Sequence, residues 1–159
     1  MPNWCANLLE IAGSVKQKKG FLEDAHSKED DVEYDEKPSV LSLKSLIPYE
    51  GGEWDYDWCV KNWGTKWDIN AELCNPNWEV ENSNIIIKFE SAWAPPEEAI
   101  KRIAEQYPYL GFSLIYAEPG MGFTGSVQYN IDYDSMDFIA TNRGNVADIL
   151  YGYIMGYDE

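Results

Sequence analysis

The sequence is poor in the residue types that most often carry catalysis. It has one histidine, His26. Ser–His–Asp and Cys–His chemistry would both have to use it. His26 follows a helical pattern and precedes an acid-rich stretch, so an exposed helix-end residue with no nucleophile beside it is expected. The three cysteines, Cys5, Cys59 and Cys74, form no C-x-x-C pair. This argues against a disulfide framework and against a structural zinc site, and buried free thiols are expected instead. No apolar run approaches a membrane span, and "IIIKF" is strand-sized. The opening "MPNWCANLLEIAG" lacks the basic region and long apolar segment of a secretory signal, so a cytoplasmic location is expected. Basic residues are scarce: 12 Lys and Arg stand against 28 Asp and Glu, a formal net charge of −16. Such a chain repels phosphate backbones and anionic membranes and attracts basic surfaces. After Arg102 the one base is Arg143, while acids continue through Glu105, Glu118, Asp132, Asp134, Asp137, Asp148, Asp158 and Glu159.

Aromatic residues are abundant. Seven Trp and eleven Tyr contribute to a 14 % aromatic content, within 45 % hydrophobic residues. A chain of 159 residues with that content can bury the core of one domain. No internal repeat and no long linker interrupts it.

Read along the chain, "WCANLLEIAG" is a strand ending at Gly13. Ser14 then caps a helix, "SVKQKKGFLEDAHSK", with Val15, Phe21, Leu22 and Ala25 inward. "EDDVEYDEKP" is an acidic loop. "SVLSLKSLIPY" alternates and stops at Pro48, which predicts a strand running into a turn. "GGEWDYDWCVKNWG" predicts a helix with Lys61 in its last turn and Gly64 as its left-handed cap. "TKWDINAELC" predicts a strand with Trp67, Ile69, Ala71 and Leu73 on one side. "NPN" and "ENSN" are turns around further chain, and "IIIKFESAW" is the clearest strand. "APPEEAIKRIAEQYP" is a helix with proline in its first turn and Pro108 at its end. "LGFSLIYAE" is a strand, and "SVQYNIDYD" alternates with a period of two, as a half-buried antiparallel strand does. "NVADILYGYIMGY" is a short helix or a last strand.

The stretch "EPGMGFTGSV" spells G-x-G-x-x-G with Gly120, Gly122 and Gly125. That spacing cradles a dinucleotide only where it follows a strand and opens a helix. Here the next element is another strand, and "FIATNRG" some 20 residues on offers no acid for a ribose. The glycines are therefore expected in a β-hairpin connection, easing the backbone or leaving room for an aromatic ring. No cofactor is expected.

The blocks "MPNWCANLLEIAG", "LSLKSLIPYE", "NWGTKWD", "FESAWAPP" and "EPGMGFTG" follow one another in this order. Together they resemble the YubB-type ferredoxin-like domain family of bacterial plasmids and phages, over roughly residues 1–125. The resemblance implies an α+β fold: one domain spanning 1–159, an antiparallel sheet with helices on one face, and a home on mobile genetic elements. It implies no activity. The acidic loop at 28–37 and the acidic C-terminal extension, 126–159, lie outside its motifs.

Candidate sites follow from charge and aromaticity. Asp132 and Asp134 project together from the alternating strand, Asp137 extends the row, and Glu118 is expected across the hairpin; these four are the expected partner-binding acids. Asp132, Asp134 and Asp137 lack the glycine and closing glutamate of a calcium loop, so no metal site is expected. The second candidate is aromatic: Trp54, Trp58, Trp63 and Trp67 lie in one short span, with Lys66 placed to cover a ring. Trp63 and Trp67 are expected mostly buried; an exposed patch would instead supply interface anchors. The leading functional expectation is a non-enzymatic phage or plasmid protein that binds a basic or nucleic-acid-binding protein complex, as a nucleic-acid mimic does, with no direct nucleic-acid or membrane contact. The alternative is an enzyme using carboxylates in a cleft near the Trp block. Two carboxylates converging on a concave aromatic pocket would mark it.

Overall fold

The first strand of the chain is the middle strand of the sheet. A computed structural model gives the structure, and residues 1–32, 36–131 and 151–156 are described. β1 (Trp4–Ala12) pairs antiparallel with β3 (Ile85–Ala92) on one side and with β4 (Gly111–Glu118) on the other. The short β2 (Ala71–Leu73) adds to β3, and β5 (Phe123–Tyr129) adds to β4. The order is β2-β3-β1-β4-β5, antiparallel at every junction. The helices are α1 (Val15–Ala25), α2 (Leu43–Leu46), α3 (Tyr56–Trp63), α4 (Trp78–Glu81) and α5 (Glu97–Gln106). β1-α1-β2-β3-α5-β4 is the split βαβ arrangement of ferredoxin-like folds, and β5 extends its edge.

Side-chain alternation explains the layering. Leu9 and Ile11 of β1, Ile85, Ile87 and Phe89 of β3, and Phe112 and Leu114 of β4 all point to one face and are buried. α1 covers them with Phe21 and Ala25, and α5 with Ala99, Ile100, Ile103 and Ala104. This i, i+1, i+4, i+5 spacing makes α5 amphipathic. Each fully buried Ile contributes about 2 kcal/mol in transfer from water. The opposite face is not bare. Residues 151–155 are helical, and Ile154 packs there on Ala6 and Ala117.

Several local expectations are corrected. "SVLSLKSLIPY" holds α2 and no strand. Ser42 Oγ accepts from the Ser45 amide, and the Asp68 carboxylate accepts from Leu43 N at 2.6 Å and Lys44 N at 3.3 Å. Capping of these amides favours a helical turn over the extended alternation. The same use of Asp68 bends "TKWDINAELC", so that only Ala71–Leu73 is strand. α4 forms where only turns were expected. Its Trp78 is buried, with the Lys18 ammonium 5.1 Å from the ring centre. Of the three thiols expected inside, Cys5 and Cys59 are buried but Cys74 is exposed. β5 begins at Phe123, so the expected extension boundary at residue 126 falls inside a strand.

Candidate functional site

Gly64 decides which tryptophans stay outside. It closes α3 with φ +79°, and its N–H donates to the Val60 carbonyl at 3.0 Å. A Cβ there would meet Glu98 N at 3.3 Å, so the close approach of α3 to α5 also requires glycine. Before this turn Trp63 points inward, 5 % exposed, and its Nε1 donates to the Ile47 carbonyl at 3.0 Å. Trp58 is half-buried and meets Trp63 edge-on, ring centres 5.3 Å apart. After the turn the chain reverses, and Trp67 emerges 37 % exposed, contrary to the buried position expected for it. Trp54 lies ahead of α3, is 54 % exposed, and so shares no helix face with Trp58.

The exposed rings form a strip. Trp4 and Trp67 lie 6.3 Å apart between ring centres, and Trp54 and Tyr56 also lie 6.3 Å apart. Lys66 bridges the two pairs, its ammonium 4.4 Å from the Trp67 ring centre and 5.8 Å from that of Trp54. Trp54 Nε1 donates to the Lys66 carbonyl at 3.1 Å, which fixes the indole although it faces solvent. The expected cation–π role of Lys66 is present, with Trp54 and Trp67 as its partners. Glu50, Glu53, Asp55 and Asp57 are exposed around Trp54 in sequence. Asp55 caps α3 by accepting from Trp58 N at 2.9 Å. Through Trp4 the strip adjoins a groove of about 1060 Å³ on the sheet, lined among others by Asn70, Glu72, Lys88, Glu90 and Met155.

Blocks far apart in sequence hold this end of the sheet together. Trp93 N donates to the Asn3 carbonyl at 2.8 Å, and Thr65 Oγ1 to the Ala92 carbonyl at 2.9 Å. Asn7 Nδ2 donates to Ser91 Oγ at 2.9 Å, and Ser91 Oγ to the Ala94 carbonyl at 2.7 Å. Trp93 takes φ +71° and is 44 % exposed. A bulky residue in the left-handed region is strained, and such strain persists only where the surroundings fix it. Neither Trp4 nor Trp93 was singled out by sequence reasoning. Their signal was their place inside two of the ordered blocks.

The G-x-G-x-x-G glycines lie at the β4–β5 connection, and the element that follows β4 is the strand β5. Gly122 takes φ +72°, and Gly125 sits within β5. A Cβ on Gly125 would lie 2.2 Å from the Tyr116 hydroxyl oxygen, so this glycine makes room for a ring, as expected.

Glu118 is not part of an exposed row. It is 1 % exposed, and its two carboxylate oxygens accept from Gly120 N at 2.6 Å and Met121 N at 2.8 Å. The tight hairpin turns its amides inward, and the carboxylate is needed to satisfy them. Asp132, Asp134 and Asp137 lie outside the described residues. Beside Glu118, burial pushes the Cys5 thiol up to about 12, with the Glu118 charge adding to the shift. A thiol held protonated is a poor nucleophile. His26 is exposed at the end of α1, as expected. Among the described residues no group of three or more His, Cys, Asp or Glu is placed to hold a metal ion, and no helix is long and apolar enough to cross a membrane.

No curated protein and no solved structure matches the chain. A family model does match, over residues 54–149, from the exposed Trp54 through α3, β2, β3, α5 and β4 and on past β5. That is well over half of the chain, and with the ferredoxin-like strand order it identifies the protein as a member of the family described as the ferredoxin-like domain in Api92-like protein.

Proposed function

We propose that this protein is a non-enzymatic interaction module that binds a basic protein through the aromatic strip and the acids around it. One observation carries the reading. Trp4, Trp54, Tyr56 and Trp67 stay exposed side by side in a chain that buries other aromatics without difficulty. Fixed aromatic rings at a surface are the usual anchors of protein interfaces, because they offer large area at little cost in side-chain entropy. The net charge of −16 selects the partner's sign and speeds its approach. A nucleic-acid-binding protein of a host defence complex fits this chemistry, and the protein then acts as a nucleic-acid mimic. The YubB-type resemblance supports a phage or plasmid origin. Glu118 is removed from the binding set, which now centres on Trp54 and Trp67.

The test is affinity capture at low salt with mass spectrometry, comparing the native protein with a Trp54→Ala/Trp67→Ala variant of unchanged circular dichroism. The expected result is a basic protein retained by the former, lost by the latter, and released as salt rises past physiological strength, where exposed charges are screened over about 8 Å. Equal retention by both proteins, or retention indifferent to salt, overturns the reading.

A further inference from the structure

The strip contains a cation already. The Lys66 ammonium sits between two indoles, 4.4 Å from the Trp67 ring centre and 5.8 Å from that of Trp54. Among the described residues the ion pairs are Lys19–Glu79, Lys44–Asp31 and Arg102–Glu98; none uses Lys66. Among the described residues its ammonium meets aromatic faces rather than a carboxylate, and the half-exposed side chain is otherwise in water. Both faces are positioned independently of the Lys66 side chain, Trp54 through the main-chain carbonyl of Lys66 itself. Trp54 is held by its Nε1 bond to a main-chain carbonyl, and Trp67 rests against Trp4.

We propose that Trp54 and Trp67 form a two-walled receptor for one cationic side chain, that Lys66 is its resident occupant, and that an arginine of the basic partner displaces it. This deepens the proposed function and rests on it for the identity of the partner. Arginine is the favoured guest on chemical grounds. Its guanidinium is planar, stacks on indole and is more weakly hydrated than an ammonium. Lys66 gives up no carboxylate when it leaves, so displacement costs only its own aromatic contacts. While resident, it keeps two exposed indoles covered and reduces adhesion to neutral apolar surfaces. The device admits cations and favours those that outcompete a lysine.

N-acetylarginine methylamide is the probe, titrated against the whole protein with the indole Nε1–H signals followed by NMR. Lys66→Met keeps most of the side-chain length and removes the resident cation. It should bind the probe about fivefold to tenfold more tightly than the native protein, the range expected when two weak, exposed cation–π contacts are removed together. Lys61→Met is the control for charge. Lys61 is exposed in the last turn of α3 and lies over no ring among the described contacts, so its loss should leave affinity within about twofold. Trp54→Ala should abolish the shifts at Trp67. Equal tightening by both lysine variants reduces the effect to net charge and overturns the receptor. No tightening by Lys66→Met, or a probe affinity that survives Trp54→Ala, also overturns it. Tightening confined to Lys66→Met supports the receptor even where capture finds no basic protein, so that result would fault the partner and not the site.

Discussion

Trp63 and Trp67 are four residues apart and have opposite fates. Trp63 is packed, hydrogen-bonded through its ring nitrogen and edge-on to Trp58. Trp67 shows more than a third of its surface and lies against Trp4 at the sheet end, the two rings tilted by 42°. The residue type is the same and so is the neighbourhood in sequence. What separates them is the left-handed turn at Gly64, which ends α3 and sends the chain back along the outside. Aromatic content alone therefore says little about where a ring goes. The backbone reversal between two rings decides which of them builds the fold and which remains available to a partner.

The strongest way to break this contrast is to truncate one ring from each set. Trp63→Ala should cost about 3–5 kcal/mol, read as a fall in the urea midpoint, because it leaves a cavity beside α5 and strands the Ile47 carbonyl. Trp54→Ala should cost less than about 1 kcal/mol, since it removes an exposed ring and one cation–π contact. Comparable losses for both would mean that the strip is structural.

Gly64→Ala tests the turn itself. An L-residue at φ +79° costs about 1–2 kcal/mol, and the new methyl presses on the first amides of α5. A thermal midpoint unchanged from that of the native protein would remove the turn as the cause of the contrast. A finer comparison uses Trp93. Trp93→Gly and Trp93→Ala delete the same indole, but only glycine relieves the left-handed strain. The glycine variant should be the more stable by about 1 kcal/mol in paired denaturant titrations.

The smallest effect concerns the thiols, a second inside–outside set. A sulfhydryl reagent at neutral pH should label Cys74 first and reach Cys5 only on unfolding. Because burial holds the folded Cys5 proton to about 12, the unfolded chain releases it earlier as pH rises. The stabilisation is complete below the ordinary thiol range and is lost progressively up to about 12. Burial and hydrogen bonds to carboxylates raise Tyr107 and Tyr116 as well, through Asp24 and Glu97, and act in the same direction. Cys5→Ala should flatten part of this alkaline slope, and an identical slope would show that Cys5 does not contribute to it.

Much of the architecture was legible in the sequence. The apolar runs "WCANLLEIAG", "IIIKFESAW" and "LGFSLIYAE" located β1, β3 and β4, the alternation in "SVQYNIDYD" overlaps β5, and Pro95, Pro96 and Pro108 framed α5. The hairpin nature of the G-x-G-x-x-G stretch followed from its flanks alone. What misled were contacts made at a distance. Asp68 reaches back to the amides of Leu43 and Lys44, about 25 residues earlier, and turns an alternating stretch into α2. No window around 39–49 contains that acid. The aromatic candidates were named, but their division into inner and outer rings depends on a backbone angle at Gly64. Trp4 and Trp93 escaped notice because their exposure arises where two distant strand ends meet. Glu118 looked like a surface acid because nothing nearby in sequence tells a hairpin-capping carboxylate from a solvated one.

The central position of β1 also has a consequence in time. Its hydrogen-bonding partners on the two sides are β3 and β4, and the second of these follows it by roughly 100 residues. At a synthesis rate of about 5–20 residues per second, β1 emerges from the ribosome roughly 5–20 s before β4 exists to pair with it. Until β3 arrives the strand destined for the middle of the sheet has both edges open, and until β4 follows it one edge stays unpaired. Its pairing is entirely non-local, the kind that folds slowly. The β1 segment is therefore open to wrong pairing until both β3 and β4 have been made.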